Sequence, residues 1–97
     1  ATLVPGVYRY QKGRHPISRP GGYAALRQAE NVKVSRDGGR TEVGMFGINI
    51  HRGGWTRTSS EGCQTLPPSQ WSEFLHTVYA VMDSVQVSTV PYVLTTV

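Results

Sequence analysis

The chain has one cysteine among its 97 residues, Cys63. A single thiol cannot close an internal disulfide, and a structural zinc site draws on paired cysteines that are absent here. No apolar run reaches the roughly 18 residues that would span a membrane as a helix. The first residues lack the basic-then-apolar order of a signal peptide. Nor is there a basic run. Ten Lys and Arg against six Asp and Glu give a formal charge of +4, dispersed along the chain, which suits an anionic polymer without saying which one. Aromatic and basic residues do not interleave as they do on single-strand nucleic-acid platforms, so nucleic acid is disfavoured.

Glycine and proline are plentiful, 11 and 6, and hydrophobic residues make up an ordinary 38%. That balance points to a mostly β, α+β domain rather than a helical bundle. A chain this short buries only roughly 60 to 65% of its unfolded surface, so residues 1–97 form one domain. It opens on Ala1 rather than Met, from which we expect a domain excised from a longer protein.

Residues 4–10 (VPGVYRY), with Val7 and Tyr8 after a Pro-Gly turn, read as a strand, whereas 12–22 (KGRHPISRPGG) read as a loop. Residues 23–29 (YAALRQA) have helix-forming composition over a short span. Residues 31–35 (NVKVS) alternate as a half-buried strand does, and Asp37-Gly38 within 36–40 (RDGGR) signals a hairpin turn. Residues 43–50 (VGMFGINI) are the most β-like run and are expected as a central strand, bulged at Gly44 or Gly47, with His51 at its end. Prolines at 67 and 68 and an N-cap at Ser69 then open a helix. Its apolar stripe is Trp71, Phe74, Leu75, Val78, Val81 and Met82, at i, i+3, i+4, i+7, i+10 and i+11. The β-branched tail, 85–97, is expected to add one or two closing strands.

Cys63 lies twelve positions after His51, in the stretch INIHRGGWTRTSSEGCQT. A lone cysteine is usually a buried apolar residue. Here Ser59, Ser60, Glu61, Gly62, Gln64 and Thr65 surround it, and that polarity argues for chemistry. Thiolate is the nucleophile, and a free thiol with a pKa of about 8.5 supplies little of it at neutral pH, so a base must take the proton. His51 is close enough along the chain to fold back as that base. Gly62 before the nucleophile permits a sharp bend whose amides can face an oxyanion.

The order His then Cys is not that of papain-like peptidases. A strand ending in "INIHRGG", a glycine-rich loop and then "SSEGC" resemble the catalytic motif of the L,D-transpeptidases, the YkuD family of peptidoglycan-modifying enzymes. The resemblance is carried by about residues 43–81. It implies a small β-sandwich with one helix packed on it, in the second half of the chain. Cys63 would be the nucleophile, His51 its base, Gly62 and Cys63 the oxyanion hole, and Ser60 a brace for the loop. Glu61 stands where the family has a second histidine, and Thr65 where it has an arginine. With that arginine absent, hydrolysis by an L,D-carboxypeptidase or endopeptidase is as much expected as cross-linking.

Arg52 or Arg57 can supply the missing charge. With Trp55, Tyr23 and Gln64 they are the candidates for the substrate wall. The resemblance implies no cofactor, a peptidoglycan stem peptide as partner, and action in the periplasm or cell envelope, or delivery there as an antibacterial effector or phage protein. The alternative is a non-catalytic module that binds cell wall or another anionic polymer. His15, beside Pro16, reads as a surface residue, and His76 as a partly exposed helix residue. The histidines and Cys63 lack the short spacings of a zinc site, so no metal is expected. Asn49 alternates with Ile48 and Ile50, which leaves its amide on the opposite face, where it can hold the His51 loop.

Overall fold

A computed structural model describes residues 1–15, 22–53 and 63–96. The fold is mostly β, with two sheets and one helix. The strands are β1 (Thr2–Leu3), β2 (Gly6–His15), β3 (Tyr23–Gln28), β4 (Val32–Ser35), β5 (Thr41–Gly44), β6 (Ile50–Arg52), β7 (Gln64–Leu66) and β8 (Thr89–Leu94). Helix α1 (Pro68–Ser84) stands between β7 and β8. One sheet has the order β7-β6-β3-β2-β8, and the smaller has the order β1-β4-β5.

The small sheet follows its sequence closely. Residues 36–40 form the turn between β4 and β5, with Arg36 N–H donating to Arg40 O at 2.7 Å. Gly38 and Gly39 hold φ of 86° and 82°, a region glycine enters without steric cost. Val32 and Val34 face inward and are buried, while Lys33 between them is exposed.

Three expectations need correction. Residues 43–50 are two strands, not one: β5 ends at Gly44 in the small sheet, and β6 begins at Ile50 in the large one. Gly47, at φ 72°, lies on the crossing segment. Val43, on the edge strand β5, and Met45, just beyond it, are exposed. Residues 23–28 are strand rather than helix, since a place between β2 and β6 supplies ladder hydrogen bonds on both sides and overrides a weak local preference. Finally, β2 runs on to His15, three residues past the point where a loop was expected to begin.

The helix is capped two residues earlier than predicted. Pro67 is the N-cap, Pro68 the first helical residue, and Ser69 lies in the first turn. Proline fits there because that turn's N–H groups have no partner within the helix. Trp71 and Met82 are buried, Phe74, Leu75 and Val78 pack against the core, and Val81 is exposed. Val90 and Tyr92 of β8 line a pocket with Phe74 and Val78 of that helix, and Tyr10 of β2 meets Tyr92 in an edge contact at 5.6 Å. Of the tail, β8 alone is strand among the described residues. No helix among the described residues is long and apolar enough to cross a membrane.

Candidate functional site

The site is built where four strands of the large sheet lie side by side. β2 pairs with β3 so that His15 faces Tyr23 and Gly13 faces Ala25. β3 pairs with β6 at Leu26 and Ile50, and β6 pairs in parallel with β7, Ile50 to Gln64 and His51 to Thr65. Alternate residues share a face, so within these strands His15, Tyr23, His51 and Thr65 lie on one side of the sheet; the Tyr23 ring, at the end of its strand, also meets Trp71 of the helix at 6.3 Å, and Cys63 directly precedes β7.

Gln28 holds the crossing segment that feeds β6. Its buried side chain accepts from the N–H groups of Phe46 (3.2 Å) and Ile48 (2.6 Å) and donates to the carbonyls of Glu30 (3.1 Å) and Gly44 (3.2 Å). Its own N–H donates to Asn49 Oδ1 at 3.3 Å. Tyr10 adds a hydroxyl bond to Ile48 O at 2.8 Å. The backbone leading to His51 is thereby fixed through side chains where no ladder partner exists.

His51 is 3% exposed, and its Nδ1 lies 2.8 Å from Arg52 O. A carbonyl only accepts, so Nδ1 carries the proton, leaving Nε2 with the basic lone pair. The Tyr23 hydroxyl lies 3.3 Å from the same Nδ1 and 3.4 Å from Arg52 O; with Nδ1 protonated, it donates to the carbonyl. Arg52 is itself exposed, its guanidinium 4.8 Å above the Tyr23 ring.

Cys63 is half-buried. Its thiol donates to Gly47 O at 3.2 Å, and Sγ accepts from the Asn49 N–H at 3.4 Å. The next residue continues the pairing, with Gln64 N–H donating to Asn49 O at 2.9 Å. Burial pushes the thiol above its ordinary pKa, and the Asn49 N–H offsets this only in part. The resting sulfur is therefore a thiol, and a base must remove its proton. Continuing the β6–β7 register back by one residue sets Cys63 beside Asn49, two residues before His51.

Of the residues singled out from sequence, Tyr23 and Arg52 meet at His51, and Cys63 lies at the other end of β6, on Gly47 and Asn49. Gln64 turns the other way, its Oε1 accepting from Tyr92 Oη at 2.7 Å on the core side. Ser60, Gly62, Trp55, Arg57 and Glu61 lie outside the described residues. His15, read from sequence as a surface residue, is half-buried and stacked on His51, with ring centroids 3.9 Å apart and planes 8° from parallel. Only the strand register reveals it, because His15 and His51 are far apart in sequence and no local pattern links them. Asn49 is 3% exposed and joins the same cluster.

Beside the site, a cleft of about 400 Å³ opens between sheet and helix, lined by Tyr23, Arg52, Trp71, His76 and Tyr79 among others. Among the described residues, no three or more His, Cys, Asp or Glu side chains group as metal ligands. No family model, curated protein or solved structure matches the chain.

Proposed function

We propose that the protein is a cysteine acyl-transferase or peptidase of the L,D-transpeptidase type, acting on peptidoglycan stem peptides. The observation that carries this reading is the pairing of β6 with β7, which sets Cys63, the residue before β7, beside Asn49 in the segment that leads to His51, with His51 Nδ1 committed to the Arg52 carbonyl. Support also comes from the INIHRGG and SSEGC motifs and from the polar surroundings of the thiol.

In the proposed reaction, His51 Nε2 takes the Cys63 proton, and the thiolate adds to a stem-peptide carbonyl. The tetrahedral adduct collapses, the C–N bond breaks, and the departing amine receives the proton from His51. The thioester left on Cys63 is then attacked by an amine, giving a cross-link, or by water, giving hydrolysis. The Asn49 N–H, already directed at sulfur, favours the thiolate as it forms. A protein of this activity works in the periplasm or cell envelope.

Incubation with purified muropeptides, read by mass spectrometry, tests the reading. Loss of a terminal residue identifies a carboxypeptidase, a cleaved cross-link an endopeptidase, and a new dimer a transpeptidase. Each should vanish in Cys63→Ser and in His51→Ala. Unchanged masses with retained binding to the polymer would leave a binding module instead, and turnover by Cys63→Ser at the native rate would remove the proposed nucleophile.

A further inference from the structure

The proton transfers just described use His51 alone, yet a second imidazole lies flat against it. β2 and β6 are not neighbours; β3 runs between them, and two strand spacings separate their backbones by roughly 10 Å. Small residues on the intervening face make the contact feasible. Gly13 and Ala25 pair there, and continuing the Leu26 to Ile50 register sets the fully buried Ala25 opposite His51. The two histidine rings meet above it, 3.9 Å apart and 8° from parallel, while the Tyr23 ring meets His15 at 6.1 Å and 63°.

The cluster also sets the protons. Gln28 N–H donates to Asn49 Oδ1, which fixes the amide and turns Asn49 Nδ2 toward His15 Nδ1 at 3.4 Å. An amide nitrogen only donates, so His15 Nδ1 accepts, and the neutral His15 ring carries its proton on Nε2. His51 has the opposite arrangement, with its proton on Nδ1 facing Arg52 O. Two stacked imidazoles are thus held as opposite tautomers, one by a side-chain amide and one by a backbone carbonyl.

We propose that His15 is a positioning residue for His51, its stacked ring preventing the His51 imidazole from turning over and so keeping Nε2 as the nitrogen that receives the Cys63 proton. The catalytic consequence rests on the reading of Cys63 and His51 given above, whereas the positioning itself does not. A neutral ring against one face of His51 also favours the imidazolium formed during the reaction, as a π face favours a cation.

Long-range proton–nitrogen NMR of the histidine rings in the folded protein, at a pH where both are neutral, reads the tautomers directly. The native protein should show His51 as the Nδ1–H form, and His15→Ala should show a mixture of Nδ1–H and Nε2–H forms. His15→Phe, which keeps a flat ring without nitrogens, should preserve the native His51 signature. An unchanged His51 signal in folded His15→Ala, or a mixture in folded His15→Phe, overturns the proposal. Should His15→Ala not fold, Asn49→Ser loosens the same ring and should shift the His51 signal in the same direction; no shift there counts against it.

Where muropeptide turnover is measurable, His15→Ala should lower kcat by about 10- to 100-fold with KM within about twofold, the scale expected for a misplaced reacting group. His15→Phe should recover most of that loss. If the native protein turns over no muropeptide, the proposed function fails while the tautomer measurement still decides the role of His15.

Discussion

The Cys63 thiol and the Gly47 carbonyl lie 3.2 Å apart, so the residue that turns the chain between the two sheets also holds the proton of the sulfur. Gly47 has φ 72° and open space where a Cβ would sit, and the cost of Gly47→Ala is therefore backbone strain of about 1 kcal/mol. We expect a thermal midpoint lower by about 5 °C. Any shift of the carbonyl weakens its hold on the thiol proton, and iodoacetamide should alkylate Cys63 faster at neutral pH. An unchanged rate would mean that Gly47 does not govern the thiol.

Gln28 ties β3 to the segment that delivers His51. Gln28→Ala strips acceptors from the Phe46 and Ile48 N–H groups and donors from the Glu30 and Gly44 carbonyls. At about 1 to 3 kcal/mol for each buried group left unpaired, and with partial rescue by water, a loss of about 3 kcal/mol is expected. That corresponds to a thermal midpoint lower by on the order of 15 °C. Calorimetry checks it, and a change below about 1 kcal/mol would show that the crossing segment is held by other means.

Stability should fall on the alkaline side. Burial raises Tyr10 well above the ordinary tyrosine range, and raises Tyr23, Tyr92 and the Cys63 thiol in the same direction. A group raised in the folded state binds its proton more tightly there than in the unfolded chain. Its stabilisation is complete below the unfolded pKa and is lost as pH rises toward the folded one. With unfolded values of about 8.5 for Cys and about 10 for Tyr, the midpoint should decline above roughly pH 8.5 and more steeply above roughly pH 10. Tyr10→Phe loses its bond to Ile48 O and starts lower, but its further decline between pH 8 and 11 should be shallower than that of the native protein.

Helix α1 ends with Gln86 at φ 56°. Val87 N–H reaches Met82 O at 3.0 Å and Gln86 N–H reaches Asp83 O at 3.3 Å, the paired bonds of a left-handed helix end that favours glycine. Gln86 is exposed, so Gln86→Gly removes the strain and little else. We expect a gain of about 0.5 to 1 kcal/mol in chemical denaturation, with an unchanged m-value.

Arg52 directly follows His51 and is exposed above Tyr23, lining the cleft. Arg52→Ala leaves its carbonyl free to hold His51, and under the proposed function it should raise KM for muropeptides about tenfold while changing kcat little. A fall in kcat with constant KM would assign it to the reaction rather than to binding.

Much of the fold was legible before any coordinates. Asp37-Gly38 marked the β4–β5 turn, the 3.6-residue stripe marked α1, the Pro-Gly turn with Val7 and Tyr8 marked β2, and alternation marked β4. The errors share one cause. Residues 23–28 carry no β-branched residue, and only their place between two strands makes them a strand. Residues 43–50 form a continuous apolar run, and nothing local to them announces that the chain leaves one sheet at Gly44 and enters another at Ile50.

Cys63 and His51 stood out from sequence because reactive residues in a polar, glycine-rich setting are unusual at any position. His15 and Gln28 did not, since they act through residues of other strands and of the crossing segment; Asn49 was singled out for the His51 loop, but its tie to His15 was not. Residue type and spacing determined the mostly β class, the one long helix and the two groups that the proposed chemistry needs. The tertiary structure decided which nitrogen of His51 is basic, what stacks on it and what holds the thiol proton, because hydrogen bonds and ring contacts between distant strands depend on register, which no short stretch of chain specifies by itself.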